Sequence, residues 1–412
     1  MDSPIYSSII VAFVPILLGV IGFMSGLSRQ SVQLMALLGI AVEFGAVLFL
    51  NAPFTDSYPA LQCSLAILLS GFCASLGQRD STFSASTISS ILIVLGLSLG
   101  VLFAPPLLSN VFLIGLLGFT AFTLYQFTSP SRARTMSFAL VALAIVLIVV
   151  SSFAGGPISI YASLFLSVIF LPLVPFHFLF VTTVSSTKGT LPSFWVITFF
   201  SLGLAEFHAV QADLSQGMFS ALAVLAFVSA VYASFTCLGQ REIRRFLAFA
   251  AIAQLALLWG LLGVFEDFSS WGISFGSLVG FIISGLLLVE AFVQQRFGTH
   301  VLGHLAGLAA PMPRLGIILV LFISLATLLP IVPLFSGLVT MAPIEQQNHS
   351  LLLVTLTCLV VWLFGSWHFS HMLHHTAFGK ARHDIPYSDL QVTEILSLAL
   401  ILVGASYSAL AS

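Results

Sequence analysis

Charged side chains are scarce. Asp, Glu, Lys and Arg make up 6% of the 412 residues, against about 25% in soluble domains. A water-soluble fold of this length could not cover its surface with so few charges. A large net charge is missing as well: 12 Lys and Arg against 14 Asp and Glu leave a formal charge of −2, which argues against a nucleic-acid partner. Cysteines number four, Cys63, Cys73, Cys237 and Cys358, all within or at the edges of apolar segments. Without ligand spacing they read as core residues, not as a disulfide or metal framework. No cationic n-region precedes the first apolar segment, only Asp2, so no cleavable leader is expected. The longest polar stretch, Gly379 to Asp389, is too short for a soluble or nucleotide-binding domain. The chain is therefore expected to hold no cofactor and to use neither ATP nor a redox group by itself.

What remains is apolar, 59% of the residues. A membrane span needs about 20 apolar residues. Fourteen such runs are present, at 5–27, 31–50, 59–77, 86–103, 106–127, 136–154, 157–180, 191–210, 217–238, 244–264, 270–294, 315–340, 350–376 and 391–410. The fold class is thus an all-α polytopic membrane helix bundle. Every Lys and Arg follows an odd-numbered run and none follows an even-numbered one. Cationic loops stay on the cytoplasmic side during insertion. This places the chain in the cell's inner (cytoplasmic) membrane, multi-pass, with both termini outside.

Two stretches echo each other. Leu171-Pro-Leu-Val-Pro-Phe176 ends the seventh run, and Leu329-Pro-Ile-Val-Pro-Leu334 lies in the twelfth. Paired prolines remove backbone donors, so Pro172 with Pro175 and Pro330 with Pro333 predict two broken helices. The five-run offset predicts a five-helix repeat, inverted across the membrane. Residues 1–150 then form the N-terminal helices and the first part of the repeat, and residues 151–412 the core and C-terminal helices.

A charge inside a span costs about 2.5–3.5 kcal/mol on insertion scales, so each needs a reason. Glu43 is mid-span in the second run, where an interface or structural role is favoured. Glu206 lies toward the outer half of the eighth run, with His208 near its outer end. A carboxyl in a low-dielectric setting can bind and release protons near neutrality, which makes Glu206 the leading proton site. It could equally be held neutral against a neighbouring helix or subunit. Glu290 lies in the inner half of the eleventh run, within reach of Arg296. His368, His371 and His375 fall at i, i+3 and i+7 on one helix face. Neutral imidazoles relay protons because one nitrogen donates while the other accepts. His368 is the deepest of them, whereas His374 and His375 read as a polar helix end. His177, just after the first proline break, could contact water in a half-channel or cap freed backbone. Arg241, Arg244 and Arg245 read as topology anchors, with Glu242 placed to pair with Arg245.

Four stretches resemble the antiporter-like membrane subunits of respiratory complex I, of Mrp-type cation/proton antiporters and of membrane-bound hydrogenases. Pro172-Leu-Val-Pro-Phe-His177 is similar to that family's Pro-x-x-Pro-Phe-His turn. Leu238 to Phe249 is similar to its Gln-x-Asp-Ile/Leu-Lys-Arg-Leu-Leu-Ala-Tyr segment. Leu305 to Leu315, with the Leu329-Pro330 that follows, resembles its Gly-Gly-Leu and Met-Pro stretch. Ala377-Phe-Gly-Lys380 and the last run resemble its final helices. The resemblance spans roughly 157–410.

The departures bear on function. The family's broken-helix Lys corresponds to Leu202 here, and the Lys or Glu after its Leu-Pro break to about Leu338. The Lys of its inner-loop motif is Arg244, and the His beyond its Ala-Tyr run is Gln254. Its earlier Glu has no counterpart in 106–127. The resemblance implies a non-redox subunit of a translocase such as an NADH:quinone oxidoreductase, partnered by other membrane and peripheral subunits and by the lipid bilayer. Protons, or another cation, would pass through a reduced path of Glu206, His208, His177, His368, His371 and Glu290. Two alternatives stand beside it. One is a scaffold that has lost pumping. The other is a membrane subunit energising inorganic-carbon uptake with a soluble zinc partner.

Overall fold

The computed structural model describes residues 3–24, 26–51, 58–78, 84–262, 268–298, 307–332, 350–381 and 387–411. Fifteen α-helices account for all fourteen apolar runs among those residues. Twelve are long and apolar enough to cross a membrane. The two exceptions are the first run, with described side chains from Ile9, and the seventh, which is interrupted. In hydrocarbon every backbone N–H and C=O must be satisfied within the protein, which is why uninterrupted apolar runs become helices.

The chain divides into two compact units. One comprises residues up to Leu171 together with Phe178–Asp213. It holds α1 (Ser3–Met24), α2 (Arg29–Asn51), α3 (Tyr58–Gly77), α4 (Ser84–Phe103), α5 (Pro106–Phe127), α6 (Arg132–Phe153), α7 (Pro157–Phe170), α8 (Phe178–Ser186) and α9 (Leu191–Val210). Helices α5, α7 and α9 start with proline in the first turn, where the missing N–H costs nothing. Helix α9 packs on α3, α4, α7 and α8 and is the most buried span of this unit. Gly203 lets the α7 end lie against α9: a Cβ there would stand 2.9 Å from the Leu171 backbone nitrogen. By contrast α6 presents most of its surface outward, as a lipid-facing helix does.

The other unit comprises Pro172–His177 and the residues from Leu214 on. It holds α10 (Gln216–Leu238), α11 (Ile243–Leu261), α12 (Phe268–Phe297), α13 (Pro313–Leu328), α14 (Ser350–Thr376) and α15 (Val392–Ala411). Helix α12 packs against α11, α13 and α15, and its apolar stretch is wholly buried. Helices α11 and α14 pack against the proline-broken end of α13, a 3-10 turn at Leu329–Ile331. Cys63, Cys73 and Cys237 are buried in their units, as core cysteines should be.

Both expected breaks are present. The seventh run splits into α7 and α8 around residues 171–177. The twelfth ends α13 at Leu328 and tightens into the turn that contains Pro330. Pro333 and Leu338 lie outside the described residues.

Candidate functional site

A broken helix frees backbone groups, and this chain re-satisfies them with side chains. At the first break, Val174 N–H donates to Ser229 Oγ on α10 at 3.1 Å. Phe176 N–H closes a turn on the Leu173 carbonyl at 2.7 Å. The Phe178 carbonyl accepts from Ser137 Oγ on α6 at 3.1 Å. Pro172 and Pro175 frame this turn, and His177 follows it. The His177 ring is buried, 5.4 Å from Tyr232 of α10 and 5.8 Å from Phe249 of α11.

The second break has its own repair. Pro330 has no N–H to reach back to the carbonyl four residues earlier, that of Ala326. Gln254 Nε2, from α11, donates to that carbonyl at 3.2 Å. Gln254 is buried, so the bond is shielded from water. Gln254→Leu is expected to strand the carbonyl and lower stability by about 1–3 kcal/mol, read as a lowered unfolding midpoint in detergent. An unchanged midpoint would show that the carbonyl finds another donor.

The charged groups form two buried pairs. Arg244 Nε of α11 donates to Glu290 Oε2 of α12 at 2.8 Å, with side-chain exposures of 6% and 1%. Arg244 Nη2 also donates to Gln294 Oε1. Arg244 is therefore no exposed membrane anchor. The expected neighbour of Glu290 was Arg296, but Arg296 pairs with Glu394 of α15 instead. Long-range packing decides this: α12 meets α15 on one side and α11 on the other. Arg296 Nε adds a bond to the Ser388 carbonyl at 3.0 Å. The carboxylate of Asp389 accepts from the backbone N–H groups of Arg314 and Leu315, capping the start of α13. This Arg296–Glu394–Asp389 staple ties α12, α13 and α15 at one end, and sequence reading missed it. A hint was available in Glu394 itself, whose Oε2 accepts from Gln391 N–H three residues earlier at 2.7 Å. Arg245 pairs with Glu242 at 3.1 Å, both largely exposed, in the i, i+3 contact its spacing suggested.

On α14 the histidines separate. His368 is buried, edge-on to Phe246 of α11 at 5.4 Å. His371 is exposed, and its ring lies 4.2 Å from that of His375, tilted by 55°. His368 and His371 line one cavity of about 260 Å³ at the end of α10 and the start of α11.

In the first unit, Glu206 is half-buried near the end of α9. His208 Nδ1 lies 3.2 Å from Gln211 Nε2, which donates to it. Four residues before Glu206, Leu202 is completely buried in apolar surroundings. Glu43 is buried on α2, and its Oε2 has no hydrogen-bond partner among the described residues. The site residues thus fall into three groups: Glu206 with His208 in one unit; Arg244 with Glu290, and His368 with His371 and the nearby His177 turn, in the other.

No family model matches this chain. A stretch of 200 residues is 25% identical to NADH-ubiquinone oxidoreductase chain 4 of Chlamydomonas reinhardtii, covering 48% of this chain and 43% of that protein. The chain therefore spans under half of the curated relative it matches. In overall fold it is similar to a chain of respiratory complex I from Thermus thermophilus, with a TM-score of 0.75 at 17% identity over 98% of both chains. It is also similar to a chain of the membrane-bound sulfane sulfur reductase, an archaeal respiratory membrane complex. There the TM-score is 0.76 at 14% identity, over 96% of this chain and 74% of that one.

Proposed function

We infer, for a chain that is a divergent relative of the antiporter-like membrane subunits of respiratory complexes, that it is an integral subunit of a multi-subunit energy-converting complex and takes part in moving protons. Redox or other driving chemistry resides in its partners. The observation that carries this reading is the pair of broken helices. Both are repaired by polar side chains, Ser229 of α10 and Gln254 of α11, and the same two helices flank buried histidines: His177 lies against Tyr232 of α10 and Phe249 of α11, and His368 against Phe246 of α11. A purely structural bundle gains nothing from breaking two spans and then rebuilding their hydrogen bonds with Ser229 and Gln254.

The path is a reduced one: Glu206 and His208 in one unit, His177, His368 and His371 in the other. Arg244 cannot shed its proton at any working pH and supplies a fixed positive charge beside Glu290. The one-sided cations support a topology with the Arg241–Arg245 end toward the cytoplasm and both termini outside.

A second reading, a scaffold that no longer pumps, is favoured by Leu202. The family's titratable lysine would stand there, and the site is sealed in hydrocarbon. Affinity purification from membranes followed by proton-uptake measurement in vesicles tests both. The expected result is recovery of a hetero-oligomeric complex whose turnover acidifies or alkalinises the lumen, with less proton movement when this chain is deleted. Recovery of the complex with proton movement unchanged by the deletion would support the scaffold.

A further inference from the structure

We infer that the cavity bounded by α10, α11 and α14 is a hydrated port through which protons, and not alkali cations, reach His368. This deepens the proposed function and rests on it.

The cavity lies at the arginine-bearing end of the second unit. Cys237 and Leu238 end α10 above it, Phe246 of α11 forms a wall, and Trp367 with His371 of α14 stand at its mouth. His368 lines it while being only 2% exposed, and neither ring nitrogen has a hydrogen-bond partner. A neutral imidazole carries one donor and one acceptor. Leaving both unmet in a buried site is unfavourable. Both nitrogens are shut off from solvent in this conformation, and water in the adjoining cavity meets one when the ring turns toward it. At about 30 Å³ per molecule the cavity volume of about 260 Å³ holds several waters. Trp367 and Leu238, at its edge, are 65% and 39% exposed on the surface of the chain.

The lining decides which ion can use it. Hard cations are held by several oxygen ligands. Among the described residues that line it, Gln240 contributes the one side-chain oxygen and none contributes a carboxylate. The titratable side chains facing His368 across it are Cys237 and His371, neither a ligand for a hard cation, and the Cys237 thiol is donated to the Phe246 carbonyl at 3.4 Å. Arg244 and Glu290, on neighbouring α11 and α12, satisfy each other. An imidazole needs no such shell to take a proton. A hydronium ion in the cavity gives its proton to the lone pair of one ring nitrogen and is left as water, and the other nitrogen gives its proton to a second water, which becomes hydronium. The ring is left neutral as the opposite tautomer, so charge and atoms balance.

The test uses the complete complex in sealed vesicles. His368→Leu keeps the volume apolar and is expected to reduce proton transfer at least ten-fold. Leu238→Trp, which fills the mouth and leaves His368 in place, is expected to slow it as well and decides the matter if His368→Leu fails to assemble. Wild-type transfer is expected to be the same with and without Na⁺. Full proton transfer in Leu238→Trp or in an assembled His368→Leu, or a requirement for Na⁺, would overturn the port. Glu206→Gln separates the two levels of the argument. If it abolishes transfer while both port variants pass protons freely, the port is wrong and the proposed function stands. If all three variants pass protons freely, the proposed function falls too.

Discussion

Glu290→Leu is expected to destabilise the chain by about 3–5 kcal/mol. Its carboxylate is the charge partner of Arg244, at 2.8 Å and with almost no exposure on either side. Removing it leaves a guanidinium buried between α11 and α12 without its carboxylate partner, while the Gln294 amide oxygen still accepts from it. Arginine cannot escape by giving up its proton. Replacing both partners should behave differently. Arg244→Met with Glu290→Leu fills the site with apolar volume and leaves no orphaned charge, so most of the loss is expected to return. Unfolding in detergent of the two single variants and the double variant forms a complete cycle. A loss below about 1 kcal/mol in Glu290→Leu, typical of solvent-screened pairs, would show that water reaches the arginine.

The helices were legible because each is a run near 20 apolar residues, and the bilayer admits little else. The first break was legible from Pro172 and Pro175, and the second from Pro330. Partner choice was not. The local reading joins Glu290 to Arg296, six residues on. The fold instead joins Arg244 to Glu290 across 46 residues and Arg296 to Glu394 across 98. Side-chain spacing within one helix carries no information about which neighbouring helix will face it.

The histidine stripe shows the same boundary. The i, i+3 spacing placed His368 and His371 on one face, and they do share a cavity. Spacing could not say that one would be buried and the other exposed, because that depends on where α10 ends and α11 begins. Gln254 gives the sharpest case. Its position was noted as a place where a titratable histidine is replaced by a neutral amide. Its task, meeting the carbonyl that Pro330 leaves without a donor, appears only once α11 meets the broken end of α13. His177 likewise reads as a lone histidine after a turn until Tyr232 and Phe249 enclose it.

The central claim is that this bundle moves protons through few groups, and Glu206 is the one carboxyl among them besides the paired Glu290. Glu206→Gln keeps the shape and the polarity of the side chain but removes its capacity to bind and release a proton. At a half-buried site near the end of α9 it should leave packing intact, since the surrounding Leu202, Leu204 and Phe207 are unchanged. Proton transfer per turnover, measured for the assembled complex in sealed vesicles, is expected to fall at least ten-fold in this variant while assembly is retained. Wild-type transfer in a fully assembled Glu206→Gln complex would contradict the account.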